Sequence, residues 1–117
     1  MPQISEEEFL AVRQAARPYT VMILRRGPSF VMPGPNGDPT VTGIIMAHGK
    51  RNVALMKAGL MPIVCPVGDG GGITGIGVFD TSPEDAERIM ADDPGVRAGV
   101  FTFEVHASRS FPGSTLA

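Results

Sequence analysis

At 117 residues, with 43% hydrophobic and 19% charged residues, the chain has the composition of one globular domain rather than of a disordered segment. A formal charge of −2 leaves no electrostatic footprint for nucleic acid or an anionic membrane, and the basic residues are scattered apart from Arg25-Arg26 and Lys50-Arg51. One cysteine, Cys65, excludes an internal disulfide and a cysteine-rich zinc site. No apolar run reaches bilayer-spanning length and the acidic start, Met1 to Glu8, is unlike a signal peptide, so a soluble cytoplasmic protein is expected.

The first element is a helix over residues 4–17. Ser5, with Glu8 three residues on, forms a capping box, Ile4 and Phe9 are placed for a hydrophobic staple, and Pro18 is the stop. Phe9, Leu10, Val12 and Ala16 give it a modest apolar face. A lid or a support at a dimer edge is one role for such an extension; a helix packed on the outside of the domain is the commoner one. Tyr19 to Leu24 follows as a strand apolar enough to be buried on both faces. It ends in Arg25-Arg26, and residues 27–39 are too rich in proline and glycine for a regular element. Phe30, Val31 and Met32 inside that loop are expected to cover core rather than to grip a ligand.

Val41 to Ala58 reads as the second helix, capped by Thr40 or Asp38 and stopped by Gly59. His48 lies on or beside its apolar stripe, among Ile44, Ile45, Asn52 and Leu55. Gly43 and Gly49 each cost about 1 kcal/mol relative to alanine, which predicts a close backbone approach. Residues 61–67 give a strand that Pro62 and Pro66 confine to an edge. A flexible loop, Gly68 to Gly72, leads into a third strand, Ile73 to Phe79. No lysine follows those glycines and no helix comes next, so a phosphate loop is rejected. Gly75 and Gly77 fall on one face, where a packed helix is expected and a ligand floor is the alternative.

Ser82, Pro83 and Asp85 start a third helix with Ala86, Ile89 and Met90 on its apolar face, and Asp92-Asp93-Pro94-Gly95 ends it. Val100 to Val105 is the fourth strand. The segment from His106 to Ala117 reads as a tail, frayed or reaching to a partner chain. The chain is thus one domain, 1–117, with a βαββαβ core over 19–105. That order predicts an α+β, ferredoxin-like fold, a four-stranded antiparallel sheet with helices on one face. Alternation places Val21, Ile23, Ile76, Val78, Phe101 and Phe103 on one side, with Met22, Leu24 and Val100 on the other. Two helices cannot cover two apolar faces, so a second copy of the chain is the expected cover.

Two spaced motifs carry a family resemblance. Asp92-Asp93-Pro94, then Val96-Arg97-Ala98-Gly99 and an alternating strand, resemble the C-terminal signature of YciI-like (YCII-related) domains. His48 in a helix, followed by Gly59 and Cys65-Pro66, keeps a second spacing similar to that family's. The resemblance covers residues 19–105 and implies a dimeric α+β barrel with a pocket histidine. The sequence departs from the family pattern in three places. Cys65 stands where glycine is usual, Ile45 where an arginine often precedes the histidine by one turn, and Arg25-Arg26 where many members carry an acidic residue.

Two function classes stay open. In the first, the protein is a small cofactor-free and metal-free acid–base enzyme, and its resemblance to members of that barrel superfamily implies a reaction of the isomerase, lyase or dehydrochlorinase type. His48 would exchange protons near neutral pH, Asp93 would orient the ring, and Arg25, Arg26 and Arg97 would hold an anionic part of a small aromatic or lactone-like compound. In the second, it is a non-catalytic ligand-binding or structural homodimer. His48 is then a packed histidine, Asp93 a turn residue that bonds local backbone, and the arginines ordinary surface charge. Cys65 is expected to be small buried filler.

Overall fold

A computed structural model describes residues 1–116. Its elements are α1 (Glu6–Gln14), β1 (Arg17–Arg26), α2 (Pro39–Lys57), β2 (Ile63–Pro66), β3 (Ile73–Phe79), α3 (Pro83–Ala91), α4 (Pro94–Arg97) and β4 (Phe101–Ser110). The strands form one antiparallel sheet in the order β2-β3-β1-β4, the ferredoxin-like arrangement. The proline-bearing β2 is an edge strand, where the missing amide hydrogens cost no ladder bond.

Short polar side chains set the helix starts. Ser5 Oγ accepts from Glu8 N (3.1 Å), Asp38 Oδ1 from Thr40 N (2.8 Å) and Ser82 Oγ from Asp85 N (3.2 Å). The acidic Pro-Gly turn both ends α3 and starts another turn of helix, α4, with Asp93 as its cap. The fourth strand runs on to Ser110, so His106 to Ser110 pair with Arg17 to Val21 instead of fraying. Ala117, the end of the expected tail, lies outside the described residues.

Register decides which side chains are buried. Phe103 pairs with Leu24, Val105 with Met22 and Gly77 with Met22, so all of these share one face. Phe101 and Phe103 therefore lie with Met22 and Leu24, not with Val21 and Ile23 as simple alternation suggested. That face, with Phe79, Met61, Ala86, Met90 and Val100, makes the core under the helices. The other face presents Val21, Ile23 and Val78 half-buried and Ile76 exposed, edged by Arg25, Glu104 and His106 on β1 and β4.

Glycine at 77 is required by packing. A Cβ there would come within 2.5 Å of Met61 Sδ, so the methionine after α2, rather than a helix, fills the side-chain-free surface. Gly43 and Gly49 have nothing within 4 Å of a built Cβ, so the close approach expected at α2 is not found. Helix α1 buries none of its residues. The molecule measures 56 Å along its longest axis with a radius of gyration of 16.7 Å, against about 13 Å for a compact 100-residue domain. No helix among the described residues is long and apolar enough to cross a membrane.

Candidate functional site

His48 projects from α2 and Asp93 caps α4, and they meet beneath the helices although 45 residues separate them. His48 Nδ1 lies 2.9 Å from both Asp93 Oδ1 and Oδ2. Asp93 is fully buried, and its Oδ2 also accepts from Gly95 N (2.9 Å) and Val96 N (3.2 Å). One carboxylate thus caps a local turn and holds the histidine. The two roles weighed for Asp93 from the sequence are not exclusive.

Burial by itself raises the Asp93 pKa. The hydrogen bond and charge of His48, with the Val96 and Gly95 amides, outweigh burial and hold the carboxyl below its ordinary value. An ionised carboxylate only accepts, so the proton between the pair sits on His48 Nδ1. Arg51 Nη1 adds positive charge 3.8 Å from Asp93 Oδ1.

Asn52, one helical turn after His48, places Nδ2 3.1 Å from His48 Nε2. A ring protonated on Nδ1 alone accepts that bond at Nε2. Asn52 Oδ1 is buried without a hydrogen-bond partner among the described residues. Rotating the amide would bring this oxygen to a protonated Nε2, so Asn52 can serve either charge state of the ring. The i, i+4 spacing from His48 was visible in the sequence and marked Asn52 as a neighbour on the same helix face. On its other side the ring packs against Phe101, with centroids 4.6 Å apart.

A cavity of about 640 Å³ opens between α2 and the β1–β3 part of the sheet. That lies within the roughly 300–1,000 Å³ of small-molecule sites. His48, Asn52 and Gly49 line it from α2, and Met22, Leu24 and Gly75 from the sheet, so Gly75 does form part of a cavity floor. Phe30, Met32 and Pro33 of the 27–38 loop also line it. The loop is held by Gly27, whose built Cβ would come within 2.3 Å of Gly99 O, and by Ser29 N donating to Gly99 O at 2.9 Å. This places Phe30 on Phe101 (6.1 Å). Of the apolar loop residues expected to cover core, Phe30 both packs on it and bounds the cavity, Met32 lines the cavity but is largely exposed, and Val31 is exposed and does neither. No residue of α1 lines the cavity, so α1 is not its lid in this structure.

The three arginines grouped from the sequence separate. Arg26 lines the cavity. Arg25 turns to the opposite face of the sheet and pairs with Glu104. Arg97 is exposed and reaches Asp92 at 3.4 Å. Cys65 is exposed rather than buried filler. Among the described residues no group of three or more His, Cys, Asp or Glu side chains is placed to hold a metal ion. No family model matches the chain, and no curated protein matches it.

Proposed function

We propose that the protein is a YciI-like, cofactor-free acid–base catalyst that acts on a small organic compound in the cavity beside His48. One observation carries the reading: a buried, ionised Asp93 fixes the proton on His48 Nδ1 at the wall of an open, mostly apolar cavity. Such a ring presents Nε2 as the base, and the low-polarity surroundings strengthen each charge interaction that forms there. Asn52 shares Nε2 in the resting state and yields it when a substrate proton arrives. Catalysis of the isomerase or lyase type needs no more than that proton shuttle and a positioned substrate. The family resemblance supports the same reading, because its pocket histidine and acidic turn residue are the two that meet. The half-exposed Val21, Ile23, Ile76 and Val78 favour a homodimer through the open sheet face.

A second reading, a non-catalytic ligand-binding homodimer, is favoured by the Asn52 bond that already occupies Nε2. Solvent exchange separates the two. The protein is incubated in D2O with a panel of small aromatic ketones and unsaturated lactones, each with and without a carboxylate group, and C–H deuteration is followed by NMR. The catalytic reading expects enzyme-accelerated exchange in at least one compound, lost in His48→Gln and Asp93→Asn. Exchange at the uncatalysed rate across the panel, or equal exchange in His48→Gln, replaces it with the binding reading.

A further inference from the structure

We infer that the ligand of this cavity is a small apolar anion, a carboxylate or its equivalent, whose charge is held by Arg26 while its body lies along an aromatic wall toward His48. The inference rests on the reading of the cavity as the ligand site and adds the chemical class that the site selects.

Arg26 is the only Arg or Lys among the described residues that line the cavity, and no Asp or Glu lines it. None of the ion pairs among the described residues involves Arg26. Its neighbour Arg25, one residue earlier on the same strand, is paired with Glu104 on the other face. Strand alternation has placed one paired arginine outside and one without a carboxylate on the cavity wall.

The Arg26 guanidinium lies 4.8 Å from the centroid of the Phe30 ring, which orients it. Phe30 then packs on Phe101, and Phe101 on His48. Four side chains thus run in file from a cation to the imidazole, all of them on the cavity wall. The rest of the lining is dominated by Met22, Leu24, Ile45, Val64 and Ile73, together with glycines that add no side chain. A ligand that fits this order has an anionic end that the planar guanidinium can bind in bidentate fashion. It has a flat or aliphatic body to cover Phe30 and Phe101. Its reacting carbon or heteroatom lies at the far end, within reach of His48. A neutral compound leaves Arg26 without its partner, and a multiply charged one meets a wall that offers no second Arg or Lys among the described residues. The chain as a whole carries −2, so the attraction is local to the cavity and not a property of the protein's net charge.

The test is isothermal titration of the full chain with hexanoate, octanoate, phenylacetate and 4-phenylbutyrate against the matching primary amides. Amide-backbone NMR shifts locate the binding. Wild type is expected to bind at least one carboxylate about tenfold more tightly than its amide, with shifts at Gly49, Gly75 and Phe101. Arg26→Gln should lose that preference, chiefly through weaker carboxylate binding, and Arg26→Lys, which keeps the charge but not the planar fork, should keep only part of it. Arg26 is exposed at a strand end, so both variants should unfold as wild type does. Equal binding of carboxylates and amides, a preference that survives Arg26→Gln, or no binding by any member of the panel overturns the inference. His48→Gln should keep the carboxylate preference within a few-fold. Failed deuterium exchange with the preference intact would therefore end the acid–base reading alone. A lost preference with exchange intact would end the ligand class alone.

Discussion

The two faces of the sheet are built from the same four strands and have opposite characters. Under the helices, Met22, Leu24, Phe79 and Phe101 are closely packed, and the His48 ring beside the buried Asp93 has its hydrogen bonds made on both sides, with Arg51 Nη1 a further 3.8 Å from the carboxylate. On the open face Val21 and Ile23 are only half covered, and Glu104 pairs with Arg25 and with the His106 ring at the solvent. A polar group under the helices has few substitutes for its partner, so it is expected to be costly to remove and specific in what it does. On the open face water can replace any partner lost, and what is left to gain is the covering of apolar surface by another chain.

The sharpest break of that contrast is Asp93→Ala. It leaves His48 without its carboxylate and α4 without its cap, and should cost about 3–5 kcal/mol in denaturant unfolding. A loss under about 1 kcal/mol would mean the pair is not buried and bonded as described. The same group sets an acid limb. The folded pKa of Asp93 is lowered, so its contribution to stability is complete above the unfolded value of about 3.9 and is lost as pH falls through the lower folded value. Wild-type stability should therefore fall below about pH 4, and in Asp93→Asn that part of the fall should vanish.

On the open face, Ile23→Asp should abolish self-association in light scattering at micromolar concentration while leaving the circular dichroism spectrum intact. A wild-type chain that is already a stable monomer would remove the dimer from the proposal. Beneath the helices again, Asn52→Ala should cost about 1 kcal/mol, since it gives up the bond to Nε2 but also removes the unpartnered Oδ1. Smallest of all, Arg25→Gln should change stability by under about 1 kcal/mol, because its pair with Glu104 is about half exposed. It should leave carboxylate binding untouched, in contrast to Arg26→Gln.

Much of the fold was legible because each element start carries its own chemistry: Ser5, Asp38 and Ser82 cap, and prolines and Gly59 punctuate. Faces were harder. The side on which Phe101 and Phe103 lie depends on register with β1, and a shift of one residue reverses every side chain, so no local pattern in β4 contains the answer. The extension of β4 was hidden for the same reason. His106, Ser108 and Arg109 are polar and look like a tail, yet their backbones pair with the start of β1. Gly77 signalled a missing side chain, but only the fold reveals that Met61 occupies the space. His48 and Asp93 could be nominated from spacing and resemblance. Their meeting, the part played by Asn52 and the choice of Arg26 over Arg25 all depend on how α2, α4 and β1 are brought together.

In the proposed chemistry Asp93 holds the proton on Nδ1 of His48 and leaves Nε2 as the base at the cavity. A long-range ¹H–¹⁵N spectrum of the imidazoles, at a pH where the rings are neutral and with a His106→Gln variant for assignment, reads this directly. The arrangement predicts a protonated Nδ1 and an unprotonated Nε2 for His48. A proton on Nε2 with a bare Nδ1 would contradict it, since an ionised Asp93 would then face a lone pair.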